Sequence, residues 1–192
     1  KVLEGDYSGE SIEVNLEGDG LLHWFLVEEG VPLNGVVEQV DKGLAVRRRY
    51  LDGDGKEIPD GTVRQGDIVQ VELRLSASRV LSNLVITDLL PAGLEVENPR
   101  LSPQGKLPPR AKGSGKTSGP TQIVTAHMDI RDDRVILYVP SFRGEGVYRY
   151  VARAVTMGDF MVPMVAAESM YEPGVYSRGG SGRLIVGDKK GE

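Results

Sequence analysis

Hydrophobic and polar positions alternate along most of this chain. Val69, Val71, Leu73 and Leu75 are apolar, and Gln70, Glu72, Arg74 and Ser76 stand between them, a period of two held over eight residues. That period puts successive side chains on opposite faces of an extended strand, and Gly66-Asp67 supplies the turn ahead of it. Ile12, Val14 and Leu16 alternate with Glu13, Asn15 and Glu17 in the same way. Gly18-Asp19-Gly20 joins them to Leu21–Val27, predicting a hairpin with Leu22, Trp24 and Leu26 on one face. Further strands are expected over Leu44–Leu51, Asn83–Thr87, Leu94–Val96, Ile123–Ile130, Val135–Val139, Val147–Val155, Phe160–Val165, Ser169–Tyr171 and Leu184–Val186. No window carries the 3.6-residue apolar stripe of a helix. About ten short strands at this spacing predict an all-β antiparallel sandwich.

Composition narrows the class without naming an activity. The chain has 192 residues, with 25 Gly and 11 Pro that cut it into short pieces and disfavour helices. One sandwich over 1–192 accounts for the length, with 1–20 belonging either to it or to a preceding domain. A net charge of −5 argues against a generic nucleic-acid binder, which needs a basic face. The absence of Cys removes disulfides, thiolate zinc sites and cysteine nucleophiles together. No apolar run reaches the roughly 18 residues of a membrane span. The start, Lys1-Val2-Leu3-Glu4, has no signal-like character, so the chain reads as a piece of something longer. Ser102–Pro120 holds four Pro, four Gly, three Ser and a single larger aliphatic residue, Leu107. It is expected to be a long flexible loop inserted between strands, with Lys106, Arg110, Lys112 and Lys116 unaccompanied by an acid and open to trypsin.

Motifs that suggest chemistry fail on their details. Gly113-Ser114-Gly115-Lys116-Thr117 imitates a phosphate-binding loop, but Arg110 stands where its first Gly belongs and no buried strand precedes it. Asp52, Asp54 and Gly55 imitate a calcium loop, yet Lys56 takes the place of an oxygen ligand and Val63 that of the closing Glu. A hairpin turn whose carboxylates accept local amides is the better reading. His23 and His127 lie far apart, without a metal or triad partner set. Asp129, Arg131, Asp132, Asp133 and Arg134 read as a salt-bridged turn. These residues predict no enzyme, cofactor or metal. Ala167-Glu168-Ser169-Met170-Tyr171-Glu172-Pro173 is either a strand end or an exposed apolar tip, and in isolation the strand end is the commoner case.

Several stretches together resemble a family. Asp88-Leu89-Leu90-Pro91-Ala92-Gly93-Leu94-Glu95-Val96-Glu97-Asn98, followed by Arg131-Asp132-Asp133-Arg134, resembles the C-terminal region of bacterial α2-macroglobulins. Tyr150–Phe160, Val162-Pro163 and Ala167–Pro173 fit the same family in the same order, as do Gly30-Val31-Pro32 and Gly43–Tyr50 upstream. The resemblance runs from about Leu21 to the end and is broken by Ser102–Pro120. It implies an immunoglobulin/macroglobulin-like sandwich, the last such domain of a large protein, periplasmic or anchored at the cell surface, that traps proteases after a bait region is cut. Many members carry a Cys–Gln thioester in a separate helical domain, and without Cys this chain cannot hold that bond. A Met-Tyr pair on the last domain is thought to pack over the bond, and Met170-Tyr171 match it. The resemblance therefore implies a non-catalytic, thioester-shielding role for Met170 and Tyr171, with Arg131, Asp132, Asp133 and Arg134 as candidate interdomain contacts. Its partners would be the other domains of the same chain, and proteases through the whole protein. The alternative is an Ig-like structural repeat of a bacterial adhesin or stalk. That accounts for the LPAG turn and its neighbouring strands but not for RDDR, Arg153-Ala154-Val155 or ESMYEP.

Overall fold

The computed structural model describes residues 17–21, 23, 37–59, 61–97 and 120–188. The chain divides into two compact units, Lys1–Val31 and Pro32–Glu192, and the fold below is that of the second. The hairpin expected within 12–27 falls largely outside the described residues, as does the insertion over 102–119 with its Gly113–Thr117 stretch.

Among the described residues the regular structure is all strand. In chain order the strands are β1 (Val40–Lys42), β2 (Ala45–Leu51), β3 (Thr62–Arg64), β4 (Ile68–Leu89), β5 (Leu94–Val96), β6 (Thr121–Gln122) and β7 (His127–Ile130). They continue with β8 (Arg134–Ala154), β9 (Gly158–Val162), β10 (Val165–Ser169), β11 (Tyr176–Arg178) and β12 (Gly182–Gly187).

The architecture is set by β4 and β8, of 22 and 21 residues, several times the usual strand length. They pair antiparallel from Ile68 opposite Arg153 to Leu89 opposite Arg134. The other edge of β4 is shared. Residues 70–76 pair with β2, and residues 84–88 pair with β10, which leads on to β11 and β1. The free side of β8 takes β7 at one end, β5 at the other and the short parallel β6 between them. A three-stranded sheet, β3-β12-β9, closes one end, with β3 and β12 parallel.

The long ribbon changes face halfway along. In the near half of β4 the buried apolar positions are Val69, Val71, Leu73, Leu75 and Ala77, while beyond the corner the buried positions are Leu81, Leu84, Ile86 and Asp88. Register slips there: Ala77 opposes Gly144 and Leu81 opposes Phe142, so Ser78, Arg79 and Val80 face Arg143 alone. Left-handed backbone at Asn83 (φ 51°) and Gly144 (φ 83°) absorbs the bend. The half bearing β2 thereby lies against the half bearing β10 and β11, where the Val46 N–H donates to the buried Ser177 hydroxyl at 2.9 Å. Both halves supply one core, with Val46, Leu73, Leu84, Ile86, Leu137, Val165 and Leu184 almost wholly enclosed. This is a macroglobulin/Ig-like β-sandwich, in which strands that turn a corner at a bulge contribute to both layers.

Several element boundaries differ from the sequence reading. Asn83–Thr87 lies in the far half of β4, and Val135–Val139 together with all of Val147–Val155 but its last residue belong to the single strand β8. The stretch Phe160–Val165 breaks into β9 and β10 around Pro163, which has no N–H to give to a ladder. Only His127–Ile130 of the Ile123–Ile130 stretch is regular strand, and extension over Ser169–Tyr171 ends at Ser169.

Candidate functional site

The ESMYEP segment turns the corner between β10 and β11. Val165, Ala167 and Ser169 point inward and are buried, so alternation carries Met170 outward with Glu168. Ladder pairing with β4 stops at Ser169 opposite Leu84. The chain then folds back on itself, with the Ser169 N–H donating to the Val175 carbonyl at 3.0 Å and the Val175 N–H to the Glu172 carbonyl at 2.8 Å. Pro173-Gly174 close the turn. Met170 is 52% exposed and Tyr171 75% exposed at its apex. Of the two sequence readings, the exposed apolar tip describes the geometry.

The tip is tied to the β4 corner. The Met170 N–H donates to the Asn83 carbonyl at 3.0 Å, and the Arg79 guanidinium forms an ion pair with Glu172. That hydrogen-bonded guanidinium holds the Glu172 carboxyl below its ordinary value.

Arg131–Arg134 form the exposed turn between β7 and β8, closed by the Arg131 N–H on the Arg134 carbonyl at 2.9 Å. Arg131 pairs with Asp129 at 2.9 Å and Arg134 with Asp133 at 2.5 Å. This is the salt-bridged turn the sequence suggested. The fold does not bring it to the Met-Tyr tip, because Leu89 opposes Arg134 at one end of β10's ladder while Ser169 lies at the other. Five strand residues, roughly 16 Å, separate the two ends. The Asp52 side chain accepts the N–H groups of Asp54 (3.0 Å) and Lys56 (2.9 Å), the local turn expected in place of a calcium loop. His127 is exposed on β7, its ring 5.8 Å from that of Tyr138, and His23 is exposed. Among the described residues no three His, Asp or Glu side chains are grouped as a metal would need.

Two buried polar clusters escaped the sequence reading. In one, the buried Arg48 side chain pairs with the fully buried Asp88 and donates to the carbonyls of Leu89 (2.9 Å) and Pro163. The Tyr150 hydroxyl donates to the second Asp88 oxygen at 2.6 Å. Burial raises the Tyr150 phenol well above its ordinary value, so it stays a donor. Tyr50 lies beside this group, its ring 5.4 Å from the Arg48 guanidinium, and its buried hydroxyl has no hydrogen-bond partner among the described residues. In the second cluster, Glu72 is fully enclosed and accepts from Arg49 (2.5 Å), Arg74 (2.8 Å) and Arg149. Burial pushes its carboxyl up, but the three guanidinium bonds outweigh that and bring it down to about 2. A signal for the first cluster existed. Arg48 is in phase with Val46 and Tyr50, and Asp88 with Leu84 and Ile86, so a charge occupied a core position in each strand.

The Bacterial Alpha-2-macroglobulin MG10 domain family matches residues 43–174, the stretch holding the corner, the tip and both clusters. Alpha-2-macroglobulin of Pasteurella multocida is 35% identical over 151 residues, covering 78% of this chain and 7% of that protein. The Escherichia coli K12 protein of the same name is 32% identical over 180 residues, covering 92% of this chain and 11% of its own length. Among solved structures, E. coli alpha-2-macroglobulin activated by porcine elastase matches with a TM-score of 0.66 at 32% identity, over 78% of this chain and 13% of that one. Salmonella alpha-2-macroglobulin reacted with methylamine gives 0.63 at 30%, over 79% and 10%. This chain thus spans about a tenth of the length of such relatives. With sequence, sandwich and motif order in agreement, the chain belongs to the bacterial alpha-2-macroglobulins, as a macroglobulin-like domain of the MG10 type.

Proposed function

We propose that this domain is the C-terminal, non-catalytic domain of a bacterial alpha-2-macroglobulin-type protease inhibitor, and that Met170 and Tyr171 shield a thioester carried by another domain of the same chain. The observation that supports the reading is the placement of two large apolar side chains on the apex of a tight, anchored turn, where burial within this domain would have been the default. A thioester persists only where water and amines are kept away, and apolar atoms packed against it do this. Methionine adapts to an irregular surface, while tyrosine brings a broad apolar ring with a polar tip. Covering both favours the closed arrangement by roughly 2–5 kcal/mol at about 25 cal/mol per Å² of apolar surface, an upper figure because docking also costs freedom. Bait cleavage would release the lid by moving this domain away.

The reading carries with it a periplasmic or cell-surface location and proteases as the targets of the whole protein. The stalk alternative is not favoured, since relatives named alpha-2-macroglobulin match over most of this chain. A similar Salmonella protein has been solved after reaction with methylamine, which makes that amine the natural probe. In the full-length chain, Tyr171→Ala is expected to speed methylamine inactivation, before any protease is added, by tenfold or more. An unchanged rate removes the lid.

A further inference from the structure

We propose that the β4 corner is the second half of the docking tip: Asn83 and the Arg79–Glu172 pair fix the direction of the Met170–Tyr171 turn, and Val80 extends the apolar surface that another domain of the longer chain covers. The identity of that covering surface rests on the lid reading above, whereas the positioning of the turn does not.

The corner is larger than bending a strand requires. A simple bulge sets two residues against one, but here Ser78, Arg79 and Val80 together face Arg143. All three are exposed, and Val80 is 54% exposed although an apolar residue gains nothing by facing water. Three residues on, Asn83 is the sole non-glycine residue with positive φ among those described. Asparagine tolerates that left-handed conformation and a β-branched residue does not. The Asn83 carbonyl accepts the Met170 N–H at 3.0 Å, and the neighbouring Ser82 carbonyl accepts from the Ser169 hydroxyl at 3.4 Å. The extruded Arg79 reaches Glu172, the residue after Tyr171. Val80 adjoins Arg79 in the chain, and Met170-Tyr171 immediately precede Glu172, so three residues each more than half exposed flank the two ends of a single ion pair. An isolated exposed pair adds little to folding stability. Its effect here is to hold the turn in one orientation, which lowers the ordering cost when a partner surface closes over it. The partner chemistry is apolar, and about nine-tenths of a chain of this family lies outside the segment described.

Two measurements on the full-length chain test the proposal: amide hydrogen exchange at Met170–Glu172, and the rate of methylamine uptake before protease. Asn83→Val is expected to speed exchange at Met170 at least tenfold, while Asn83→Gly, which keeps positive φ without strain, leaves it within roughly twofold. Arg79→Glu sets like charges together and raises exchange roughly two- to fivefold, and the swap Arg79→Glu with Glu172→Arg restores it. These surface variants carry the test if Asn83→Val does not fold. A swap that restores nothing, or a folded Asn83→Val with wild-type exchange at Met170, overturns the positioning claim. Val80→Ser is expected to leave Met170 exchange alone and to speed methylamine uptake severalfold. Faster uptake in Tyr171→Ala but not in Val80→Ser removes Val80 from the surface. Wild-type uptake rates in both, with the exchange effects intact, overturn the lid and the covering surface while the positioning of the turn stands.

Discussion

Glu72 shows how far one side chain departs from the pattern that places it. Alternation puts it on the outer face of β4, yet its carboxylate is fully enclosed because Arg49 of β2, Arg74 of β4 and Arg149 of β8 fold over it. Arg49 and Arg149 flank it directly, since Arg49 and Arg149 both oppose Glu72 in the two ladders. A carboxyl held at about 2, below its ordinary 4.5, binds its proton more weakly folded than unfolded. Its contribution is therefore complete above pH 4.5 and is lost as pH falls from there towards 2. Because the arginines stay a third to a half exposed, that contribution is discounted to about 1–3 kcal/mol. Glu72→Gln is expected to lose about this amount at pH 7, and almost nothing at pH 2. Urea midpoints of both proteins across that range check it, and parallel acid limbs would refute it.

At the scale of elements, the LPAG turn explains itself through one missing atom. Pro91–Leu94 forms a tight turn, with the Leu94 N–H on the Pro91 carbonyl at 3.0 Å, and Gly93 accepts the Val155 N–H at 2.9 Å. A Cβ on Gly93 would stand 2.5 Å from the Phe160 ring of β9 and 3.0 Å from a Val186 methyl of β12. The glycine lets the main sheet approach the three-stranded sheet. Gly93→Ala is expected to cost about 1–3 kcal/mol, read as a lower Tm with the Met170–Tyr171 turn unaltered. Such turns and the alternating runs were legible because each depends on a few adjacent residues. The Val69–Leu75 face and the Val135–Val139 face follow from period two alone. The union of Ile68–Leu75 with Asn83–Thr87 was not legible, because Ser78-Arg79-Val80 break the parity of the alternation. Likewise Met170-Tyr171 are an apolar pair for which, taken alone, a strand end is the commoner reading. Only the end of pairing at Leu84, set by a residue far away in sequence, turns them out to solvent.

At the scale of the molecule, one ion pair spans the two layers. Arg48 belongs to β2, on the near half of the ribbon, whereas Asp88, Leu89 and Pro163 belong to the far half around β10. Every polar atom of Asp88 is engaged, one oxygen by Arg48 and the other by Tyr150. Removing one partner strands a charge in the core, whereas replacing the group with apolar side chains strands none. Arg48→Met is therefore expected to destabilise the fold by about 3–5 kcal/mol at pH 7. The loss shrinks in acid, because a buried Asp88 without its cation takes up a proton more readily folded than unfolded. In that variant stability is greatest below about pH 4 and declines as pH rises. Arg48→Met combined with Asp88→Leu and Tyr150→Phe is expected to recover most of the loss and to flatten the pH profile. Chemical denaturation of the three proteins between pH 3 and 8 decides it. A triple variant as unstable as Arg48→Met would mean that the carbonyls of Leu89 and Pro163, left without their donor, hold the layers together more than the Asp88 charge does.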